Sequence, residues 1–503
     1  MPERRRHAAP SPPDPAPFLA AGAAPILSDK RLDAVTWLLS AGLRGPCLVV
    51  GAGPHPLGLD LFWPDPVVLL SRADADPLPS PAGGFAALVH LPYGTHPPAA
   101  ALEAVLRPDA DIVVVGDPGS LVRPWERWAV VADVMRRARL LPLDDARAMR
   151  AGAPDMSRAW RLLPDFLHRR LTEADILTWR APGRVPRLSA ALDQVRDHGP
   201  RDRRRGSLAL LQDKGKLTVR IRSAGDDTFL KLARTRFAVA DLDNGAAVLD
   251  RLHEGLPPDH PLQPLLPCIL ERVEQDGALA WLERGCRGVP LADRDDAEAL
   301  PGLLSAAVDV VASLADLPTD ALPPPDPHAA AHKSAFLLML ARALGEDCER
   351  DLARVLPRLE DPAAGPWRLR KGDCSLSNVL TVDGRITGLI DWDEGGLTRR
   401  PLANLADLLF SWLWQKEGLS RARSLPAMVT GDLPRLRGGL DPWELVARCG
   451  GDRAALADAA LESWSDHVVH ELKHPRSLGD HARVVKLVRE PLAAVVRVLG
   501  NSR

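Results

Sequence analysis

Lysine is scarce in this chain, with nine among 503 residues, and almost all of its basic character comes from arginine. Scarcity gives weight to any lysine that stands at a strand in a patterned segment. No charge of one sign dominates either: 64 basic residues face 66 acidic ones, for a net charge of −2. That balance excludes a global electrostatic pull toward nucleic acid or an anionic membrane. Tyrosine occurs once, against thirteen tryptophans. The six cysteines (Cys47, Cys268, Cys286, Cys348, Cys374, Cys449) are scattered, with no C-x-x-C pair and no Cys/His cluster at zinc spacing. Reduced thiols and a cytoplasmic location are expected. No apolar run approaches the roughly 20 residues that span a bilayer, and no G-x-S-x-G nucleophile elbow is present.

What is there suits a soluble globular chain. Hydrophobic residues make up 46% and charged residues 26%, which allows a large buried core and argues against wholesale disorder. The length fits two to four domains at roughly 100–200 residues each. Residues 1–30, with an Arg cluster and then Pro-rich sequence, read as a disordered arm rather than a signal peptide. Residues 31–183 alternate a helical pattern (Leu32–Leu43) with short all-apolar runs: Cys47–Val50, Pro66–Leu70, Ala86–Val89 and Asp111–Val115. Glu173–Pro182 is a candidate last strand. Such runs with Gly or Pro boundaries point to a parallel, Rossmann-like α/β sheet. Residues 184–206, with Pro186, Pro200 and the run Arg201–Arg205, form the linker, in which Leu188–Val195 has a helical pattern able to dock on a neighbour.

From Ser207 the texture changes. Ser207–Gln212, Leu217–Arg222 and Thr228–Leu232 read as an antiparallel meander, followed by a helix near Ala240–Leu252, a strand at Ala278–Glu283 and a helix at Leu303–Leu317. The rest is mostly helical. This predicts an α+β bilobal domain over 207–503, with a sheet-rich lobe at 207–292 and a helical lobe at 293–503.

One segment interrupts the helices. Lys371-Gly-Asp-Cys-Ser-Leu-Ser-Asn378 runs into Val379–Thr381, an Asp383-Gly384 turn, Ile386–Ile390 and then Asp391-Trp-Asp393. Asp-Gly between two apolar runs is hairpin chemistry. The hairpin brings Asn378, just before one strand, toward Asp391, just after its partner. An amide oxygen and a carboxylate converging there suit Mg²⁺, a hard cation that takes oxygen ligands together with substrate phosphates. Asp373 reaches the same cleft from the other side. The alternative is a surface hairpin with solvated acids.

The pattern G-D-x-x-x-x-N, hairpin, I-D-W-D and P-L-x-x-L-A resembles the active-site signature of the aminoglycoside phosphotransferase and choline kinase family, which has a protein-kinase-like fold. The resemblance implies that Asp373 is the catalytic base, that Asn378 and Asp391 hold Mg²⁺, and that Asp393 supports them. It also implies that Lys231, in Phe229-Leu-Lys231, contacts the ATP phosphates, and that Ala280–Leu291 is the hinge receiving adenine, with Glu283 as its framework. Three positions depart from the pattern. Lys371 stands where a histidine is usual. Gly245 occupies the helix position of the glutamate that should pair with Lys231, with Asp241 or Asp243 as substitutes. Asn404 replaces an aspartate.

In the N-terminal half, Val49-Val-Gly51-Ala-Gly53, the stretch from Asp74 to Val89 and Leu102–Val115 resemble a trimmed S-adenosylmethionine-dependent methyltransferase domain. That resemblance implies methyl-donor contacts at Gly51, Gly53 and Asp74. The expected function is ATP- and Mg²⁺-dependent transfer of the γ-phosphate to a hydroxyl of a sugar, amino sugar or amino alcohol, with no nucleic-acid or membrane partner. The alternatives are a methyltransferase with a regulatory kinase-like half and a non-catalytic pseudokinase scaffold. His467, His470 and His474 lack a known zinc spacing, and oligomeric state is not legible.

Overall fold

The computed structural model describes residues 39, 42–50, 67–70, 78, 80–90, 104–115, 176–179, 187–194, 208–212, 216–221, 227–233, 236–275, 278–317, 319, 329–360, 365–473, 475–478 and 481–501. The chain divides into two compact units, one built on Ala240–Ile269 and Arg284–Arg503, the other on Ala24–Val239 and Leu270–Glu283.

The second of these holds two five-stranded sheets. One comprises β1 (Cys47–Val50), β2 (Val67–Leu70), β3 (Phe85–His90), β4 (Leu106–Val115) and β5 (Ile176–Trp179), in the order β2-β1-β3-β4-β5. Its strands are parallel except for β5, which runs antiparallel to β4. Side chains of Cys47–Val50 and Phe85–Val89 are fully buried, as expected of all-apolar strands covered on both faces. The segments between these strands, with Gly51, Gly53 and Asp74, lie outside the described residues. Most of the helix read over Leu32–Leu43 does too. The segment read from the sequence as a linker contains a helix, α1 (Arg187–Gln194), and falls within the same compact unit. It is docked: Arg187 and Ala191 are fully buried, and the Arg187 N–H donates to Leu39 O at 3.0 Å.

The other sheet joins β6 (Leu208–Gln212), β7 (Lys216–Ile221), β8 (Thr228–Ala233), β9 (Cys268–Gln275) and β10 (Ala278–Arg284), in the order β6-β7-β8-β10-β9. The antiparallel meander matches the expectation. Strand β9 was not read from the sequence. Its run Cys-Ile-Leu-Glu-Arg-Val-Glu-Gln mixes charge with apolar residues because it forms a half-exposed sheet edge, where charges guard against further pairing.

Helix α2 (Arg236–Gly255) follows the meander. In the first unit, β11 (Val289–Pro290), β13 (Val379–Val382) and β14 (Arg385–Leu389) form one small sheet, and β12 (Arg368–Arg370) pairs with β15 (Gly396–Thr398). The helices are α3 (Ala299–Ala315), α4 (Ala329–Leu344), α5 (Glu346–Glu360), α6 (Ala403–Gln415), α7 (Arg421–Thr430), α8 (Pro442–Arg448), α9 (Arg453–Leu472) and α10 (Glu490–Asn501). Helix α6 is buried nearly all round, which marks it as the central helix of this unit. Trp412 and Trp464 are buried as core residues, whereas Trp414 is 58% exposed. Among the described residues no helix is long and apolar enough to cross a membrane.

Candidate active site

The site starts from the β13–β14 hairpin. Asp383 (φ 47°) and Gly384 (φ 75°) both lie in the left-handed region, as a two-residue type I′ turn requires. The strands pair Val379 with Leu389, and the Ile390 N–H donates to Asn378 O at 2.9 Å. Asp391 is the next residue, so the two ends of the hairpin meet as the sequence implied. Asp391 itself sits at φ 64°, a strained conformation for a non-glycine residue and one that clusters at functional sites.

The preceding loop is fixed against both ends. The Asn378 side-chain nitrogen donates to Asp373 Oδ2 at 2.9 Å and to Asp373 O at 3.1 Å. Both of these partners are acceptors, so the amide is oriented with its oxygen away from them. Gly372 adopts φ 94°, and a Cβ there would collide with the Cβ and carbonyl oxygen of Glu394. Only glycine lets the loop pass this close to the end of the Asp391–Asp393 segment.

Lys371 links the two halves of the site. Its side chain is fully buried, and Nζ donates to Asp373 O at 2.7 Å and to Asp391 O at 2.9 Å. The ammonium also lies 5.8 Å from the centroid of the Trp392 ring. Asn404 on α6 holds the backbone beneath it, accepting from Lys371 N at 2.8 Å and donating to Leu369 O at 3.0 Å. That position needs one acceptor and one donor, which an amide supplies and a carboxylate does not.

Helix α2 meets the same segment from another side. Asn244 Nδ2 donates to Asp393 O at 3.0 Å and to Gly395 O at 2.7 Å. A Cβ on Gly245 would come within 3.0–3.1 Å of Asp393 Oδ1, Cα and N. The helix position expected to carry a glutamate is therefore filled by the backbone of Asp393, and only glycine fits. An acid partner of Lys231 stands on β10. Glu283 Oε2 lies 2.9 Å from Lys231 Nζ, with both side chains buried. Asp241, one of the two acids expected to serve from α2, pairs with Lys473 at 2.7 Å. Strands β8 and β10 are neighbours in the sheet, which is why Glu283 can reach the lysine and does more than frame a hinge.

Charges below the loop are compensated in pairs. Arg370 contacts Asp407, Glu462 and Asp466. Burial lifts the Asp407 carboxyl to about 6, while Arg370 and Ser463 pull it down. Burial pulls the Arg370 guanidinium down, but Asp407, Glu462 and Glu394 outweigh it and the net direction is up. Burial, with Asp373 adding to it, raises the Glu394 carboxyl well above the usual range. His470 Nδ1 stands 3.1 Å from Glu394 Oε1. Burial pushes the Cys374 thiol, next to Asp373, up to about 12, so it stays protonated and is no nucleophile. No cluster of three or more metal-ligating His, Cys, Asp or Glu side chains is found among the described residues.

Asp373, Asn378 and Asp391, grouped from the sequence, lie on one bonded loop and hairpin, and Lys231 lies in β8. Sequence reasoning missed Asn244 and the two-sided role of Lys371. One signal for the former was available: Asn-Gly in the middle of a helix lowers helix propensity and marks a position under another constraint.

Residues 210–442 match the model of the phosphotransferase enzyme family. No curated protein matches the chain. Among solved structures, a thermostable mutant of aminoglycoside phosphotransferase APH(4)-Ia, in ternary complex with AMP-PNP and hygromycin B, is 17% identical. That match covers 62% of this chain and 98% of that one, with a TM-score of 0.44. Aminoglycoside phosphotransferase APH(3'')-Id from Streptomyces rimosus is 22% identical, over 55% of this chain and 98% of its own, with a TM-score of 0.37. The family match begins well after residue 183 and lends no support to a methyl-donor site at Gly51, Gly53 and Asp74. Residues 210–442 of this chain, a region of mixed α and β structure, are thus similar to the phosphotransferase enzyme family.

Proposed function

We propose that residues 207–503 transfer the γ-phosphate of ATP to a hydroxyl of a small molecule. One observation carries the reading: Asn378 is bonded through its side chain to Asp373 and through its backbone to the residue preceding Asp391. These bonds support a reading in which a base and two oxygen ligands serve one end of the hairpin.

In this reading Asp373 accepts the proton of the acceptor hydroxyl. Its Oδ2 is occupied by Asn378, which leaves Oδ1 for the incoming O–H. The acceptor oxygen forms a bond to the γ-phosphorus as the bond to the β,γ-bridging oxygen breaks, and the proton passes to Asp373. Lys231, held by Glu283, presents its ammonium to the phosphates. The residues fit Mg²⁺: Asn378 spends both amide N–H groups on Asp373 and keeps its oxygen, and Asp391 adds a carboxylate. When bound, the ion would neutralise phosphate charge. Lys371 fixes the spacing of Asp373 and Asp391, so rate comes from positioning and preorganised charge.

Asp373→Asn tests this. Phosphoryl transfer from ATP should fall by roughly 10³-fold, within the usual range for a lost general base, while the melting temperature stays near that of the parent chain. Turnover within a few-fold of the parent removes Asp373 from the mechanism.

A further inference from the structure

Several acids around Asp373 have basic partners. Asp407 is bonded to Arg370 and Ser463, Asp241 to Lys473 and Glu471 to Arg483. Arg421 differs. It is the first residue of α7, half-buried, with its guanidinium 5.9 Å from the centroid of the Phe410 ring. Among the described residues it has no hydrogen bond and no ion pair.

Its position is not remote. Phe410 lies on α6 next to Ser411, whose hydroxyl accepts the Leu376 N–H of the catalytic loop at 2.9 Å. Asp373 is the acid that Arg421 feels most strongly, followed by Asp407. Burial outweighs that pull and lowers the guanidinium to about 10. Asp373 and Arg421 are therefore electrostatic neighbours that do not touch. A half-buried guanidinium carries five N–H donors that water or a ligand can meet. Nothing in the described chain supplies their acceptors, and the base beside it is engaged only by Asn378. The start of α7 adds the positive end of a helix dipole, and its N-cap Ser420 makes no side-chain bond.

We infer that Arg421 is the specificity residue for an anionic acceptor: the small molecule phosphorylated here carries a carboxylate or phosphate group a few atoms from its reactive hydroxyl. The hydroxyl meets Asp373 while the anionic group takes the guanidinium fork in a bidentate pair. The chemistry on the page disfavours a polycationic amino sugar, which would set an ammonium against Arg421. This deepens the phosphotransfer reading and rests on it for the hydroxyl's place at Asp373.

The test uses the full chain, ATP and Mg²⁺, with small acceptors matched in skeleton and differing in charge: glycerate and glycerol 3-phosphate as anions, glycerol as the neutral form, and ethanolamine and hygromycin B as cations. Each is assayed for phosphoryl transfer and, separately, for binding by calorimetry. Anionic members should exceed glycerol in kcat/KM by roughly thirty- to a hundredfold, the range for a charge-assisted pair. Carboxylate over phosphate, or the reverse, identifies the group. Arg421→Gln should remove that advantage by raising the KM for the anionic acceptors, and leave the KM for ATP unchanged. Arg421→Lys should recover part of it. Equal use of neutral and anionic members, preference for a cation, or an Arg421→Gln acceptor KM equal to the parent value overturns the assignment. Binding of anions that disappears in Arg421→Gln, with no phosphoryl transfer to any acceptor, would instead retain the anion site and remove the kinase reading. ATP turnover to water with no anion-dependent binding or transfer retains the kinase reading and removes the site.

Discussion

The segment Lys371–Gly395 and the sheet β6–β10 both hold buried charged groups, yet they are assembled in different ways. In the first, Lys371, Asp373, Asn378 and Asp391 fall within one loop and one hairpin, and their contacts span at most twenty residues. In the second, Lys231 and Glu283 are fifty-two positions apart and meet because β10 inserts beside β8. Local encoding makes the first arrangement follow from turn chemistry. The second depends on strand order, which no local pattern states.

The largest effect that would sharpen this contrast is at Lys231. Lys231→Met leaves Glu283 buried without its cation, a loss of about 3–5 kcal/mol for a broken buried pair. Denaturant unfolding should show that loss, and the KM for ATP should rise. A Lys231→Met/Glu283→Leu double variant should regain much of the stability but none of the ATP affinity. If stability does not return, the loss lies in contacts other than the Lys231–Glu283 pair. Next comes Lys371→Met, which strands the carbonyls of Asp373 and Asp391. Hydrogen bonds to a charged donor are worth about 1.5–3 kcal/mol each, so the melting temperature and kcat should fall together. An unchanged kcat would break the link between the clamp and the site.

The smallest effect concerns pH. The Asp407 carboxyl is raised to about 6 in the folded chain, above the usual unfolded value for aspartate. The folded chain then binds this proton more tightly than the unfolded one does. The group's contribution to stability is greatest below about pH 4, declines as pH rises toward 6, and is constant above that. Asp407→Asn should flatten this slope in stability curves recorded between pH 4 and 7. A slope identical in the variant would mean that Arg370 holds Asp407 ionised throughout.

Much of the segment Lys371–Gly395 was legible because its signals are short-range. Asp383-Gly384 fixes a type I′ turn, the turn fixes the register, and the register brings Asn378 to Asp391. Gly245 shows the opposite case. Its sequence position suggested a missing glutamate and a weakened enzyme. In the fold it marks where the backbone of Asp393 presses against α2, with Asn244 bonding to that same segment. A glycine that loses a side chain and one that makes room for a neighbour look identical in the sequence. Asn404 and Lys371 were likewise read as departures, and in the fold they satisfy each other's neighbourhood: the amide holds Lys371 N, and the ammonium holds two carbonyls.

The sequence by itself determined the alternation of strands, the hairpin and the set Asp373, Asn378 and Asp391, since turn residues and apolar periodicity act over a few bonds. Only the tertiary structure decided that Glu283 answers Lys231, that Lys371 joins both sides of the site, and that Arg421 stands near Asp373 without an ion pair. Those outcomes depend on which elements pack side by side, and burial then forces each charged group to find a partner or to leave one place for a ligand.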